Sequence, residues 1–336
     1  MLLSDGELGA GVWWNVSATY FCKYDIEYSD FPDYSKVGIF FLMIFILNKD
    51  RFMLRIAVQS KGRLYEETMD LLKAAGIKLV AVKRTLLVPS RNFPVELLFL
   101  RDDDIPDSVA SGTADIGIVG LNEVMEKRKD VKVVRPLGFS KCRLSLAIPK
   151  EAQYGGVEWF QGKKIATSYP AILTDFLKNQ GIEADIHVIS GSVEIAPGIG
   201  LADGIFDIVS SGSTLVSNNL REVEVVLDSE AVLISGTSAL SIEKEAVLDE
   251  LLFRIEAVKV AENKKYVLMN VPREKLQAVL AILPGIKSPT ILPLADENWC
   301  SVHSVLEEKQ LWTCINAVKA VGATGILVLN IEEMVV

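Results

Sequence analysis

Five small polar residues in succession, 210–214 (SSGST), form the stretch best suited to binding an anion. A glycine lets a ligand approach the backbone closely, and the neighbouring amides and hydroxyls can donate several hydrogen bonds to one anion. A helix beginning here would add the favourable field of its amino end. The sequence therefore predicts a phosphate cradle, although a Ser/Gly turn between a strand and a helix has the same composition. Its members are Ser210, Ser211, Gly212, Ser213 and Thr214.

One carboxylate precedes this cradle. Asp207 lies in the hydrophobic run that ends at Val209, and it could accept hydrogen bonds from ribose hydroxyls. Other nucleotide signatures are missing, because the sequence has no GxxxxGK[ST] and residues 198–204 (GIGLADG) miss GxGxxG by one position. Those residues also fall in a stretch that we expect to be helical. A dinucleotide-binding dehydrogenase and a P-loop ATPase are therefore disfavoured.

Composition narrows the class of protein further. The chain has 336 residues, half of them hydrophobic, and a formal net charge of −9, which argues against a nucleic-acid partner. Its four cysteines show no CxxC spacing and its two histidines are too few for a multi-histidine metal site. We expect a cytoplasmic protein that binds small ligands.

Strand and helix signals alternate from Met53 onward. Short apolar runs at 54–59, 95–100 and 114–120 alternate with helical patterns at 64–76 and 104–112, which predicts a largely parallel α/β sheet. A second such unit follows, with strands at 143–149, 163–170, 184–190, 206–210 and 221–226 and helices near 171–180 and 193–202. Residues 264–336 read as a separate βαββαβ unit of ferredoxin-like arrangement.

Residues 1–52 differ from the rest. They are rich in aromatic residues and end in the apolar run 37–47 (VGIFFLMIFIL), which is shorter than the about 20 residues that a membrane-spanning helix needs. The preceding stretch is acidic and no small-residue cleavage site follows, so a signal peptide is disfavoured. We expect Met53 to be the true start and residues 1–52 to be a non-native or disordered extension, without a membrane anchor.

The chain resembles the ATP phosphoribosyltransferase family in its long form. The resemblance rests on ten stretches in family order, from Met53 to Val336: LRIAVQSKGRL, LLFLRDDDIP, DIGIVG, CRLSLAIP, IATSYP, GSVEIAPGIGLAD, DIVSSGSTL, LREVEVV, SPTILPLADENW and GATGILVLNIEEM.

The resemblance implies a fold and an activity. Family members transfer the phosphoribosyl group of phosphoribosyl pyrophosphate (PRPP) to N1 of the adenine of ATP, releasing pyrophosphate, with Mg²⁺ as cofactor. Their two catalytic lobes share the bilobal periplasmic-binding-protein-like fold, and a third domain binds histidine as feedback inhibitor. The predicted domains are 53–143 with 236–263, 144–235 with the phosphate loop, and 264–336 for regulation. The resemblance also implies a homo-oligomer, as dimers or hexamers.

The implied chemistry needs further residues. Lys61 and Arg63 follow the first strand at its carboxyl end and are expected to contact substrate phosphates, with a solvated basic loop as the alternative. Glu194 would join Asp207 in orienting ribose hydroxyls, or else be a surface glutamate. Weaker candidates for the substrate site are Arg101, Arg143 and Tyr169.

Two sites are less well defined. The run Asp102, Asp103 and Asp104 resembles a metal cluster, but Asp104 before Ile105–Pro106 reads more simply as a helix N-cap, so the direct Mg²⁺ ligands stay unknown. The histidine contacts implied by the resemblance are Asn270, Thr290, Val305 and Gly325. The family often has an acidic residue where Asn270 stands.

Two rival functions remain open at this point. The same scaffold could serve a non-enzymatic anion-binding protein or a catalytically inert regulatory relative. The intact DIVSSGSTL and QSKGR stretches argue against an inert copy, which has no need of a phosphate cradle.

Overall fold

A computed structural model describes residues 52–79, 85–283 and 289–336. They form two compact units, residues 52–70 with 77–248 and residues 71–76 with 249–336. The predicted extension 1–52 lies, except for its last residue, outside the described residues.

The described strands and helices alternate along most of the chain, with short 3₁₀ turns between some of them. In chain order they are β1 (Leu54–Gln59), α1 (Arg63–Ala74), β2 (Leu87–Pro89), β3 (Val95–Leu100), α2 (Ile105–Ala110), β4 (Ile116–Gly120), α3 (Leu121–Lys127), β5 (Val131–Pro136), β6 (Cys142–Pro149), β7 (Lys164–Thr167), α4 (Pro170–Gln180), β8 (Asp185–Val188), β9 (Gly204–Val209), α5 (Ser213–Ser217), β10 (Leu220–Ser229), β11 (Ala231–Gly236), α6 (Ile242–Ala261), β12 (Lys264–Pro272), α7 (Leu276–Ile282), β13 (Thr290–Pro293), β14 (Trp299–Glu307), α8 (Glu308–Ala320) and β15 (Thr324–Asn330).

The first lobe is built on a six-stranded sheet of order β2-β3-β1-β4-β11-β5. Strand β1 pairs in parallel with β3 and β4, but β11 is antiparallel to both β4 and β5, and β2 is antiparallel to β3. The prediction of a largely parallel sheet is therefore only partly right. Apolar residues of α2 pack on the sheet next to Ala57, Val119 and Ile234.

The second lobe is built on a five-stranded sheet of order β10-β6-β9-β7-β8. Here β7 pairs in parallel with β8 and β9, whereas β6 is antiparallel to β9 and β10. Helix α4 covers one face, where Leu144, Phe160 and Phe206 are fully buried. It begins with Pro170 and ends at Gly181, whose φ of +71° suits a helix C-cap.

The chain passes from the first lobe to the second after β5 and returns between β10 and β11. The two passages lie side by side, since the amide of Leu137 donates to the carbonyl of Ala231 and the amide of Ala231 donates to the carbonyl of Phe139. The predicted two-lobed α/β core is thus confirmed.

One local prediction is wrong and another is only partly right. The expected helix at 193–202 is a 3₁₀ turn of three residues, Val193–Ile195, followed by irregular turns. Pro197 lacks an amide donor and Gly200 has a φ of +73°, so a longer helix cannot form there. Asp104 stands at the N-cap position of α2, but its side chain makes no capping hydrogen bond.

The second unit contains a four-stranded antiparallel sheet of order β13-β14-β12-β15. With α7 and α8 between the strands, this is the predicted βαββαβ arrangement, which is confirmed. Both helices contribute to a core on one face of the sheet, with Val279 and Val318 packed near Met269 and Val302.

Candidate active site

The predicted phosphate cradle lies between β9 and α5. Strand β9 ends at the buried Val209, and Gly212 then takes a left-handed conformation with φ +79° and ψ 0°, from which α5 begins at Ser213. The hydroxyls of Ser211 and Ser213 lie 2.9 Å apart. Residues 210, 211, 213 and 214 are exposed, so their hydroxyls are accessible to a ligand. The sequence folds this way because glycine adopts a positive φ without a Cβ penalty.

Arg63 reaches this cradle from the other lobe. Its Nη1 donates to Ser210 Oγ at 2.8 Å, and its Nη2 donates to the carbonyl of Lys141 at 3.0 Å, in the passage between the lobes. The loop after β1 and the loop after β9 therefore meet, as expected where the carboxyl ends of strands form a site. Lys61 is exposed in the loop after β1, two residues before Arg63, with which α1 begins.

Arg143 contacts the backbone of the first cradle residue. Its Nη1 donates to the carbonyl of Ser210 at 3.2 Å, and its Nε and Nη2 donate to the two carboxylate oxygens of Glu222 at 2.5 and 2.6 Å. The hydroxyl of Ser145 donates to Glu222 at 2.6 Å as well. Sequence reasoning assigned no role to Glu222, which lies on β10, far along the chain from Arg143.

Asp207 shares its sheet face with Arg143 and Ser145. The register pairs Ser145 with Asp207 and Arg143 with Val209 across β6 and β9, so all these side chains point to one side. The pKa of the Asp207 carboxyl is raised to about 6, chiefly by burial and to a lesser degree by the negative charge of Glu194, while the hydrogen bond from the Ile208 amide opposes the rise. The charge of Glu194 is thus felt at Asp207.

Tyr169 joins a buried polar group that spans the two lobes. Its hydroxyl donates to Glu123 Oε1 at 3.0 Å and lies 3.3 Å from Asn122 Nδ2. The Ser229 hydroxyl donates to Asn122 Oδ1 at 2.8 Å and accepts a hydrogen bond from the backbone amide of Asn122 at 3.1 Å. Burial is the main reason that the pKa of Glu123 rises to about 7, with Asp102 adding to the rise.

Sequence reasoning also missed Glu123. It follows β4 almost at once, at the carboxyl end of a buried strand, which is the position that directed attention to Lys61 and Arg63. The same rule would have found it.

A second contact between the lobes lies near Tyr169. The carboxylate of Glu126 accepts the backbone amides of Ala171 at 2.9 Å and Ile172 at 3.0 Å, in the first turn of α4. Arg128 donates to the carbonyl of Ala171 at 2.8 Å and pairs with Asp175 at 2.6 Å. Helix α3 of the first lobe thereby holds the amino end of α4 of the second.

The remaining candidates lie apart from the cradle contacts. The side chain of Arg101 is 77% exposed and stands 3.4 Å from Asp103, which also pairs with Lys127. Within residues 52–79, 85–283 and 289–336, no group of three or more His, Cys, Asp or Glu side chains is arranged to hold a metal ion.

The four predicted effector residues lie on one sheet of the second unit. Ser301, His303 and Val305 alternate along β14 and therefore share a face, and their cross-strand partners include Asn270 and Thr290. A Cβ added to Gly325 would stand 3.2 Å from Asn270 Nδ2, so these two residues are adjacent.

His303 lies among these residues, and sequence reasoning missed it. Its Nδ1 lies 2.7 Å from the hydroxyl of Tyr266 and its Nε2 lies 2.9 Å from that of Ser301. Both ring nitrogens therefore have a partner.

Comparison with known proteins agrees with this architecture. The family model described as ATP phosphoribosyltransferase matches residues 101–257, and the model described as HisG, C-terminal domain, matches residues 261–333. ATP phosphoribosyltransferases from Bacteroides fragilis and Parabacteroides distasonis are 66% and 68% identical over 284 residues, covering 84% of this chain and all of each relative. The relative from Cytophaga hutchinsonii is 57% identical over 283 residues, covering 84% of this chain and 99% of its own.

A solved structure is also similar. It is the ATP phosphoribosyl transferase (HisG:HisZ) complex from Thermotoga maritima, whose matching chain is 29% identical with a TM-score of 0.53, covering 61% of this chain and 99% of that chain.

Fold and loop together define a class of two-lobed α/β proteins with an exposed, hydroxyl-rich loop where the lobes meet and a ferredoxin-like domain. The family models and the relatives then make the assignment specific. The chain belongs to the ATP phosphoribosyltransferase family, long form. Of its helices in the described residues, none is long and apolar enough to cross a membrane.

Proposed function

We propose that the chain transfers the phosphoribosyl group of PRPP to N1 of the adenine of ATP and releases pyrophosphate, the first step of histidine biosynthesis. The observation that carries this proposal is the cradle itself. Its exposed hydroxyls and left-handed Gly212 lie at the carboxyl end of β9, with Arg63 of the other lobe bonded to its first residue. Family membership supports the same reaction. The site of action would be the cytoplasm.

The cradle would bind the 5′-phosphate of PRPP. Serine and threonine hydroxyls and the amides around Gly212 can donate several hydrogen bonds to one phosphate. Arg63 already donates to Ser210 Oγ, and a guanidinium presents a planar fork of donors that matches phosphate oxygens. Arg63 would therefore exchange part of its contact with Ser210 for the ligand.

Asp207 and Glu194 would act on the ribose. Burial is the main cause of the raised pKa of Asp207, and the charge of Glu194 adds to it because two carboxylates oppose each other's ionisation. Ribose hydroxyls that donate to them, or positive charge that develops on the ribose, would relieve this repulsion. The pair would therefore bind the transition state more strongly than the ground state, which is the condition for catalysis.

The pyrophosphate group would leave toward Lys61 and the metal. Mg²⁺ in such sites is usually held largely by the substrate's own phosphates, and Asp207 and Glu194 would be the carboxylates to complete its shell. When bound, the ion would neutralise charge on the departing pyrophosphate. Lys61 is exposed in the loop after β1 and free to turn toward those phosphates. No general base is required, because the adenine N1 is already a nucleophile and positioning supplies rate.

We further propose that histidine inhibits the enzyme by binding the sheet of the second unit, and that the enzyme is a homo-oligomer. The adjacency of Asn270 and Gly325 and the shared face of Thr290 and Val305 support a single effector site. An amide at position 270 can accept a hydrogen bond from an ammonium group but lacks the attraction of a carboxylate. We therefore expect weaker inhibition than in relatives with an acidic residue there.

The test is a turnover assay with the full chain. Formation of phosphoribosyl-ATP from ATP, PRPP and Mg²⁺ is followed with and without histidine. Product that histidine suppresses would support both proposals. Product without suppression would remove the regulatory proposal and leave the catalytic one. Folded protein that forms no product would contradict the catalytic proposal, and PRPP binding measured calorimetrically would then separate an anion-binding protein from an inert relative.

A further inference from the structure

Glu222 on β10 is linked to the phosphate cradle through a single side chain. Arg143 donates from Nε and Nη2 to the Glu222 carboxylate, and its remaining nitrogen donates to the carbonyl of Ser210, the first cradle residue. We propose that Glu222 is a positioning residue for PRPP: it orients the Arg143 guanidinium, which in turn fixes the peptide between Ser210 and Ser211. This inference rests on the proposed function and adds a residue to it.

The connection runs across three strands of the second sheet. Strand β6 carries Arg143 and lies between β9, which leads into the cradle, and β10, which carries Glu222. Arg143 pairs with Val209 on one side and with Asp228 on the other. Glu222 is therefore a remote anchor, and its hydrogen-bonded route to the Ser210 carbonyl runs through Arg143.

The anchor is more than a pair of surface charges. The Arg143 and Glu222 side chains are 32% and 25% exposed, and their two-point contact fixes the plane of the guanidinium. Ser145 donates a third hydrogen bond to the same carboxylate. Arg143, followed by Ser145, lowers the pKa of Glu222, so the carboxylate keeps its charge at neutral pH. A fixed guanidinium sets the directions of the two Nη1 hydrogens, one of which is donated to the Ser210 carbonyl.

The contact with the Ser210 carbonyl also fixes the direction of the Ser211 amide, because the two groups belong to one peptide. A trans peptide is planar, and its carbonyl and amide groups point in opposite directions. Because the Ser210 carbonyl points at Arg143, the Ser211 amide points away from it. Arg63 holds the hydroxyl of the same Ser210. Backbone and side chain of the first cradle residue are thus both fixed before a ligand arrives, which reduces the entropy lost on binding.

The inference predicts a selective loss of PRPP binding. In the full chain, Glu222→Ala should raise the KM for PRPP about tenfold, with kcat and the KM for ATP changed less than threefold. Glu222→Gln, which keeps the shape but loses the charge, should fall between. Arg143→Lys should resemble Glu222→Ala, since a single ammonium cannot contact both Glu222 and the Ser210 carbonyl. The double variant should be no worse than either single one, because the two residues act in series.

Glu224→Gln provides the matched control. Glu224 lies on the same strand and accepts from the Tyr154 hydroxyl at 2.6 Å, so its loss perturbs the same lobe without touching Arg143. It should lower the melting temperature and leave the KM for PRPP unchanged.

Three results for the variants would count against the inference. Equal changes in both KM values and kcat for Glu222→Ala would indicate a general structural role, and additive effects in the double variant would show that the residues act independently. A Glu222→Gln variant that binds PRPP as the wild type does would overturn it even if the alanine variant failed to fold. Wild-type protein that neither binds nor converts PRPP would instead overturn the proposed function, and the inference with it.

Discussion

Replacing Gly212 by alanine tests whether the cradle depends on its left-handed peptide. Gly212 has a φ of +79°, and a Cβ added there would approach no atom closer than Val209 Cγ1 at 4.0 Å. The added methyl group therefore meets open space, and the cost is that of holding an L-residue in the left-handed region. That cost is about 1–2 kcal/mol, reduced somewhat because alanine also restricts the unfolded chain. We expect a net loss of about 1 kcal/mol in the free energy of unfolding.

The same strain should appear in ligand binding. If the loop relaxes toward a negative φ in the free protein, PRPP has to restore the left-handed form, and about 1 kcal/mol corresponds to roughly fivefold weaker binding. ATP binding, which does not involve the cradle in the proposed reaction, should change little. Calorimetric titration with PRPP and Mg²⁺ measures the first effect, and the KM for ATP the second.

Gly181→Ala is the matched control. Gly181 has a φ of +71° with no atom within 4 Å of an added Cβ, so its backbone strain equals that of Gly212, but it ends α4 on the side away from Tyr169. Urea unfolding should show similar losses for both variants, whereas only Gly212→Ala should weaken PRPP binding. The reasoning is refuted if both variants weaken binding equally, or if Gly212→Ala loses stability and still binds PRPP with wild-type affinity.

Three further changes probe other parts of the chain. Burial is the main reason that the folded-state pKa of Glu123 is raised from an ordinary 4.5 to about 7, so the stability of the wild type should fall as the pH rises between those values. The urea midpoint of Glu123→Gln should therefore match that of the wild type at pH 5 and exceed it at pH 8. Identical pH profiles for the two proteins would contradict this. Glu126→Ala removes the acceptor of two amides in the first turn of α4, and unfolding should show a loss of about 2 kcal/mol, accompanied by faster exchange of the Ala171 and Ile172 amides. Asn270→Asp introduces a carboxylate beside the ammonium group of the effector, and about tenfold tighter inhibition by histidine is expected. An unchanged inhibition constant would indicate that the effector site lies elsewhere.

The sequence predicted those parts of the fold that depend on local patterns. The βαββαβ order of residues 264–336 follows from alternating strand and helix periods, and the cradle was visible because glycine and hydroxyl residues directly follow a buried strand. Strand β11 was not identified as the partner that converts the first sheet to a mixed one. Its pairing with β4 joins residues more than a hundred positions apart along the chain, such as Ile118 and Leu233, and no local period reports such a contact.

The site shows the same division. Asp207 and Glu194 were both assigned to the ribose, and the charge of Glu194 contributes, after burial, to the raised pKa of Asp207. Glu222 could not be predicted from the sequence, because nothing in the residues around a glutamate on a strand indicates its ion-pair partner, Arg143, on the neighbouring strand. The N-cap expected of Asp104 failed for a different reason: three consecutive aspartates there form a 3₁₀ turn before α2, which alters the geometry of the cap.

The adjacent passages between the lobes have a consequence for how the protein is made. The whole second lobe is a long excursion between β5 and β11, which are themselves neighbours in the first sheet. During synthesis β4 therefore emerges long before β11. One edge of this buried, apolar strand has no β11 to pair with until residues 231–236 leave the ribosome. The second lobe contains all of its own strands within that excursion and can be complete by then. Domains generally fold as units during synthesis. The inserted lobe would thus fold first and bring the two ends of the excursion together, so that closing the first sheet costs less chain entropy than joining the ends of an unfolded segment of that length.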